Sequence, residues 1–145
     1  MKEKKPVIGR IDKADFPVLG LENIDIKVDT GAFTSSIHCQ DMEIEDNLLK
    51  CRFLDPEHPL YHQKEFVFEN YDQKEVKSSN GQVEQRYRIE TEIVLFDTTY
   101  PIFLTLTDRK AMKFPVLLGR NFLTKKFVVD SNRTNLSYKM KSKQA

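Results

Sequence analysis

The chain of 145 residues has no long apolar run. Its longest apolar stretches are only a few residues, too short to cross a bilayer. Lysines open the sequence in MKEKKPVIGRID, but no apolar segment of a secretory signal follows them. No membrane partner is expected, and the cytoplasm is the expected compartment. A charge excess is also missing: 23 basic residues face 22 acidic ones, a net charge of +1. Duplex-binding proteins normally carry a basic surplus, so no nucleic-acid partner is expected. The Lys-rich end YKMKSKQA then reads as a solvated tail. Cysteine is scarce. Cys39 and Cys51 do not make a disulfide scaffold and read as small buried hydrophobes. Without a Gly-rich phosphate loop, ATP binding has no support. Repeats and low-complexity segments are absent too. These exclusions leave one domain over residues 1–145, with 1–5 and 140–145 expected to be flexible and the rest able to bury a core.

What the chain does have is a period of two. ENIDIKVDTG puts Ile24, Ile26 and Val28 on one face, with Asp25, Lys27 and Asp29 on the other. LLKCRF alternates through Leu49, Cys51 and Phe53. RYRIETEIVLF places Tyr87, Ile89, Thr91, Ile93 and Leu95 together, and YPIFLTLT does so with Ile102, Leu104 and Leu106. DTT between the last two predicts a hairpin turn, and KKFVVD another short strand. Asn80-Gly81 is a strong two-residue hairpin signal. The segment LDPEHPLYHQKE, with two prolines, predicts a loop. No sustained helical stripe occurs, and the best helix candidate is short, Arg120 to Thr124. The expected fold is mainly β, with many short strands closing into a barrel or sandwich.

Several residue sets could carry chemistry. Asp29-Thr30-Gly31 at a strand end is, taken alone, ordinary turn chemistry. Its sharper meaning is half of an acid/base pair, because two adjacent carboxylates share one proton and activate water. His58 and His62 have ligand-like spacing, but Pro59 between them opposes the helix that gives such spacing its value. With His38, Cys39 and Cys51 they match no standard zinc module, so neither zinc nor any other cofactor is expected. Ser36 and His38 share a strand face, yet a nucleophile and its base usually come from separated segments.

A second marker lies downstream. PVLLGRNFL is an apolar strand that breaks at Gly119 and enters the short helix. Asp29-Thr30-Gly31-Ala32, the hairpin signal at Asn80-Gly81, and Leu117-Leu118-Gly119-Arg120 resemble, in order and spacing, the retropepsin-like aspartic proteases. Over nearly the whole chain, KVDTGAFTSSIH, SSNGQVEQRYRIET, LTDRKAMKFPVLLGRNFL and FVVD resemble a bacterial family named ATP-dependent zinc proteases. Its members often occur beside ATP-grasp enzymes that add glutamate to proteins or peptides. The resemblance implies a closed retropepsin-like β-barrel with a short C-terminal helix, acting on a peptide or protein substrate. It implies Asp29 as catalytic, with Thr30 and Gly31 shaping its loop and Ala32 in the cleft. Ser79, Asn80, Gly81, Glu84 and Arg86 would form the flap, and Arg120 would support the Asp loop. Only one Asp-Thr-Gly is present, so a peptidase would need a homodimer to bring two Asp29 side chains together. Viral members have an Asp where Phe33 stands. Arg120 must therefore find another partner, with Asp130, Asp108 or a substrate carboxylate as candidates. Glu84 and Arg86 lie on one strand face, either as solvated charge or with Arg86 reading a substrate carboxylate, which would suit a glutamate-rich substrate. A non-catalytic binding or regulatory module for a glutamate ligase and a zinc metallopeptidase are the competing readings.

Overall fold

The structure is a computed structural model and describes residues 4–77, 81–108 and 113–143. Ser79 and Asn80 lie outside the described residues. The strands are β1 (Val7–Ile8), β2 (Ile11–Phe16), β3 (Leu21–Val28), β4 (Ser36–Glu45), β5 (Leu48–Phe53), β6 (Glu65–Phe68), β7 (Asp72–Lys77), β8 (Val83–Leu95), β9 (Thr98–Thr107), β10 (Val116–Leu118) and β11 (Val128–Val129). Two short helices, α1 (Arg120–Leu123) and α2 (Leu136–Lys143), complete the mainly β architecture. None of the described helices is long and apolar enough to cross a membrane.

The alternating patterns are the core. Ile24 and Ile26 of β3, Leu49, Cys51 and Phe53 of β5, Ile89 and Ile93 of β8, and Leu104 and Leu106 of β9 are all buried. Each such aliphatic side chain contributes about 1.5–3 kcal/mol over its exposed state. Hydrogen bonding runs β10–β3–β2–β8–β9–β4 and returns from β4 to β10, closing a ring. β5 and β6 extend from β4, and β7 pairs only with β8 among the described strands.

The β8–β9 hairpin turns at Phe96-Asp97, one residue before the expected DTT. Both residues take left-handed φ, 52° and 59°, as a right-twisting two-residue turn requires. Asp46-Asn47 does the same between β4 and β5, at 52° and 62°. β7 and β8 pair as far as Lys77 opposite Val83, and Gly81 in their connection has φ 86°. The two-proline segment between β5 and β6 forms no strand.

The Lys-rich end, expected as a solvated tail, is helical as far as Lys143. Its start is capped from the far end of the chain. The carboxylate of Asp12, only 1% exposed, accepts the N–H groups of Ser137 (2.9 Å) and Tyr138 (3.1 Å), as well as that of Lys13 (2.8 Å). Ser137 Oγ in turn accepts the Phe96 N–H at 2.8 Å, tying α2 to the β8–β9 turn. Asp12→Ala should destabilise the fold by about 2 kcal/mol or more, measured by urea unfolding, since it leaves buried donors unmatched. A loss within about 0.5 kcal/mol of zero would show that this cap contributes nothing, like an ordinary surface change.

Candidate active site

β10 sits between β3 and β4, which are consecutive in the chain. It runs parallel to β3, with Leu118 beside Val28, and antiparallel to β4, with Leu117 beside Ser36. The loop joining β3 to β4, residues 29–35, therefore passes over the end of β10. There the Asp29 N–H donates to the Leu118 carbonyl at 2.9 Å. The Arg120 and Asn121 N–H groups donate to the carbonyls of Ala32 (2.8 Å) and Phe33 (2.9 Å). The Gly119 N–H donates to Ser35 Oγ at 3.0 Å, and the Ser35 carbonyl accepts from the N–H and hydroxyl of Thr105 on β9. Sequence reasoning misses Ser35 as a site residue. Among small hydroxyl residues it has no distinguishing pattern, and its role comes from β10 lying beneath it.

Glycine is required at Gly119 for closeness and not for φ, and at Gly31 a side chain would be tight. A Cβ on Gly119 would lie 2.4 Å from the Thr34 carbonyl oxygen, inside any allowed contact. A Cβ on Gly31 would lie 3.3 Å from Asp29 Oδ1. The Asp29 carboxylate is half-buried, and its Oδ1 accepts the Gly31 N–H at 3.0 Å. Oδ2 accepts no hydrogen bond from the described residues. The Asp29 carbonyl takes the Ala32 N–H at 3.1 Å. The loop is thus pinned through its backbone while one carboxylate oxygen stays available.

Arg120 does not pair with Asp130 or Asp108 among the described residues. Its Nη1 donates to the Thr30 carbonyl at 2.9 Å, and its guanidinium lies 5.8 Å from the centre of the Phe33 ring. Phe33 itself is 58% exposed. Where a carboxylate would have been bridged, a carbonyl and an aromatic face hold the cation.

On the β7–β8 hairpin, Arg86 Nε donates to Glu84 Oε1 at 3.2 Å, and the Arg86 side chain is only 10% exposed. Of its two expected roles, solvated charge or reader of a substrate carboxylate, this pairing with a neighbour on the same strand fits the first. Further along β8, Arg88 makes two hydrogen bonds to Asp72, 2.9 and 2.6 Å, and lies over the Phe103 ring. This guanidinium holds the Asp72 carboxyl below its ordinary range, and the carboxylate raises Arg88.

The other candidate sets do not converge. Leu60 N–H donates to His58 Nδ1, Lys64 N–H donates to His62 Nδ1, and His62 Nε2 lies 3.1 Å from the Leu19 carbonyl. Three of the four imidazole nitrogens that zinc would use are committed to the chain itself. No group of three or more His, Cys, Asp or Glu is placed to hold a metal among the described residues. Cys39 and Cys51 are buried, and the neighbouring Cys51 together with burial pushes the Cys39 thiol far up. Ser36 and His38 are 5% and 4% exposed, closed to a substrate.

One cavity is lined in part by the Asp29 loop and another by the end of β3 that leads into it. The first, of about 340 Å³, touches Thr34, Ser35 and Asn121. The second, of about 530 Å³, touches Lys27 and Val28.

Comparison with known proteins agrees with this geometry. Residues 7–140 match the model of the RimB-like family, described as retropepsin-like aspartic endopeptidase RimB. The chain is 33% identical over 138 residues to a probable alpha-L-glutamate ligase of Shewanella halifaxensis, covering 92% of this chain and 30% of that protein. A protein of the same description from Parasynechococcus marenigrum is 34% identical over 132 residues, 88% of this chain and 28% of that one. The chain thus spans less than a third of the curated relatives it matches. A crystal structure of a Legionella pneumophila protein with unknown function superposes with a TM-score of 0.70 at 28% identity, covering 92% of this chain and 99% of that one.

Ser35→Ala, which orphans the buried Gly119 N–H, should cost about 1–3 kcal/mol in urea unfolding. Gly119→Ala should cost at least as much, because its Cβ has no space. Neutral behaviour of both variants would contradict the passage of the loop over the strand end.

Proposed function

Because this chain belongs to the RimB-like family of retropepsin-like aspartic endopeptidases, we propose that it hydrolyses peptide bonds with two Asp29 carboxylates, one from each protomer of a homodimer. The observation that carries this reading is the presentation of Asp29. Its backbone is fixed to β10, one carboxylate oxygen is oriented by the Gly31 N–H, and the other accepts no hydrogen bond among the described residues. The support comes from β10 through the Leu118 carbonyl and from α1, whose Arg120 reaches Thr30 across 90 positions of the chain.

In the dimer the two carboxylates share one proton, because like charges about 3 Å apart cannot both ionise. The ionised carboxylate takes a proton from water as the oxygen attacks the carbonyl carbon. The protonated carboxylate gives its proton to the carbonyl oxygen. Collapse of the resulting diol breaks the carbon–nitrogen bond, with a proton passing to the leaving amine. No step uses a metal, in keeping with histidine nitrogens that are already committed.

We place glutamate-modified proteins or peptides among the substrates. The support is that proteins described as probable alpha-L-glutamate ligases carry a segment matching this chain. The same observation favours a second reading, a non-catalytic binding or regulatory module for a glutamate ligase.

Asp29→Asn separates these readings. A dyad predicts that kcat falls by about 10³-fold or more, with melting unchanged and no effect of chelators on the wild type. Mixed dimers in which only one chain carries Asp29→Asn should be as inactive as dimers in which both do. A binding module predicts no turnover by the wild type and ligand affinity that survives Asp29→Asn.

A further inference from the structure

The β8–β9 hairpin carries side chains that the Asp29 chemistry does not use. Alternation buries Ile89 and Thr91 and leaves Glu90 exposed between them. Register sets Glu90 beside Phe103 of β9, and Arg88 beside Thr105. Asn121 and Phe122 of α1, with Thr34 and Ser35, complete the lining of the cavity of about 340 Å³. Ile102, Phe103 and Phe122 make its apolar part, and Phe103 is still 47% exposed. Glu90, Phe103 and Lys126 make none of the hydrogen bonds that hold the Asp29 loop.

Three charged side chains line the cavity: Arg88, Glu90 and Lys126. They are not equivalent. Arg88 is already bound to both oxygens of Asp72, at 2.9 and 2.6 Å. Glu90 has no cation within 4.0 Å among the described residues. Lys126 has no carboxylate within that distance there either. Its Nζ donates to the Phe122 carbonyl at 3.2 Å and lies 5.1 Å from the centre of the Phe122 ring. One free anion and one free cation thus share a small cavity without pairing with each other. Ligand pockets run from about 300 to 1,000 Å³, and this one is near the lower end, so a single small molecule can meet both charges. The complement is a molecule with an ammonium at one end, a carboxylate at the other and an apolar side chain between. Asn121 and Thr34 add neutral hydrogen-bonding groups.

We propose that this cavity binds a small zwitterion, an amino acid or dipeptide, with its ammonium at Glu90 and its carboxylate at Lys126. A simple amine or a simple carboxylate would meet one charge and leave the other unmatched. The apolar side chain of the ligand covers Phe103 and Ile102. Thr34, Ser35 and Asn121 belong at once to this lining and to the crossing that holds Asp29, where Ser35 Oγ accepts from Gly119 and the Asn121 N–H donates to Phe33. A bound molecule therefore packs against the support of Asp29. Hydrolysis of a peptide bond frees an ammonium and a carboxylate, so under the peptidase reading short products fall in this ligand class. The site itself does not depend on that reading.

The test titrates the full chain with alanyl-leucine, N-acetyl-alanyl-leucine and alanyl-leucinamide, with binding read by amide NMR. Alanyl-leucine should bind best, and blocking either end should weaken binding by about tenfold or more. Glu90→Gln should weaken alanyl-leucine by a similar factor and bring it level with the N-acetyl form, because the partner of the ammonium is gone. Lys126→Gln should likewise bring alanyl-leucine level with its amide. Glu92→Gln and Lys125→Gln, charges removed outside the cavity, should change nothing. Shifts should centre on Glu90, Phe103 and Asn121. Asp29→Asn should bind alanyl-leucine as the wild type does, so loss of the dyad and loss of this site are read separately. No saturable binding by the wild type, equal binding of all three compounds, equal behaviour of the Glu90 and Lys126 variants and the wild type, or shifts centred on Lys27 and Leu117 overturns the proposal.

Discussion

Strand β10 lies between two strands that are consecutive in the chain, and the Asp29 loop has to cross its end. The crossing is possible only because Gly119 has no side chain, since even a Cβ would strike the Thr34 carbonyl. Once the two segments touch, their polar groups match. Leu118, Ala32, Phe33 and Ser35 each accept an N–H from across the crossing. Buried amides without such acceptors would cost about 1–3 kcal/mol each, so the loop has one low-energy path. The position of Asp29 is a consequence of this closure. Ser35 carries the constraint onward to Thr105 on β9, joining the loop to the opposite side of the ring.

Arg120 shows how the same frame survives a change of partner. The pairing available to a carboxylate at position 33 is replaced by a carbonyl bond to Thr30 and contact with the Phe33 ring. The guanidinium still bridges the helix α1 to the Asp loop. What changes is the surface: an exposed aromatic ring now stands where a charge would be.

Much of this is legible in the chain. Alternation at Ile24, Ile26 and Val28, and at Ile89 through Leu95, identifies the core faces because burial follows the strand period. Asp29-Thr30-Gly31 and Leu118-Gly119-Arg120 can be matched as a pair without any contact being visible. Helix α2 is not legible. Asn135 just before Leu136 is a cap-type residue, but the side chain that caps the helix is Asp12, 125 residues before Ser137. The turn at Phe96-Asp97 falls one residue early because these two residues are not a typical left-handed pair. The engagement of Arg86 by Glu84 depends on side-chain geometry, which alternation along a strand does not specify. Alternation does turn Glu90 outward, but only the folded chain brings Lys126 to the same cavity.

The proposed catalysis turns on whether one Asp29 meets another. The most direct measurement is the separation of the two Asp29 carboxylates in a crystal structure of the assembled protein. A working dyad predicts a two-fold dimer with the carboxylate oxygens about 3 Å apart, or bridged by a single water. A monomer, or a dimer in which the two Asp29 side chains face different surfaces, would contradict it.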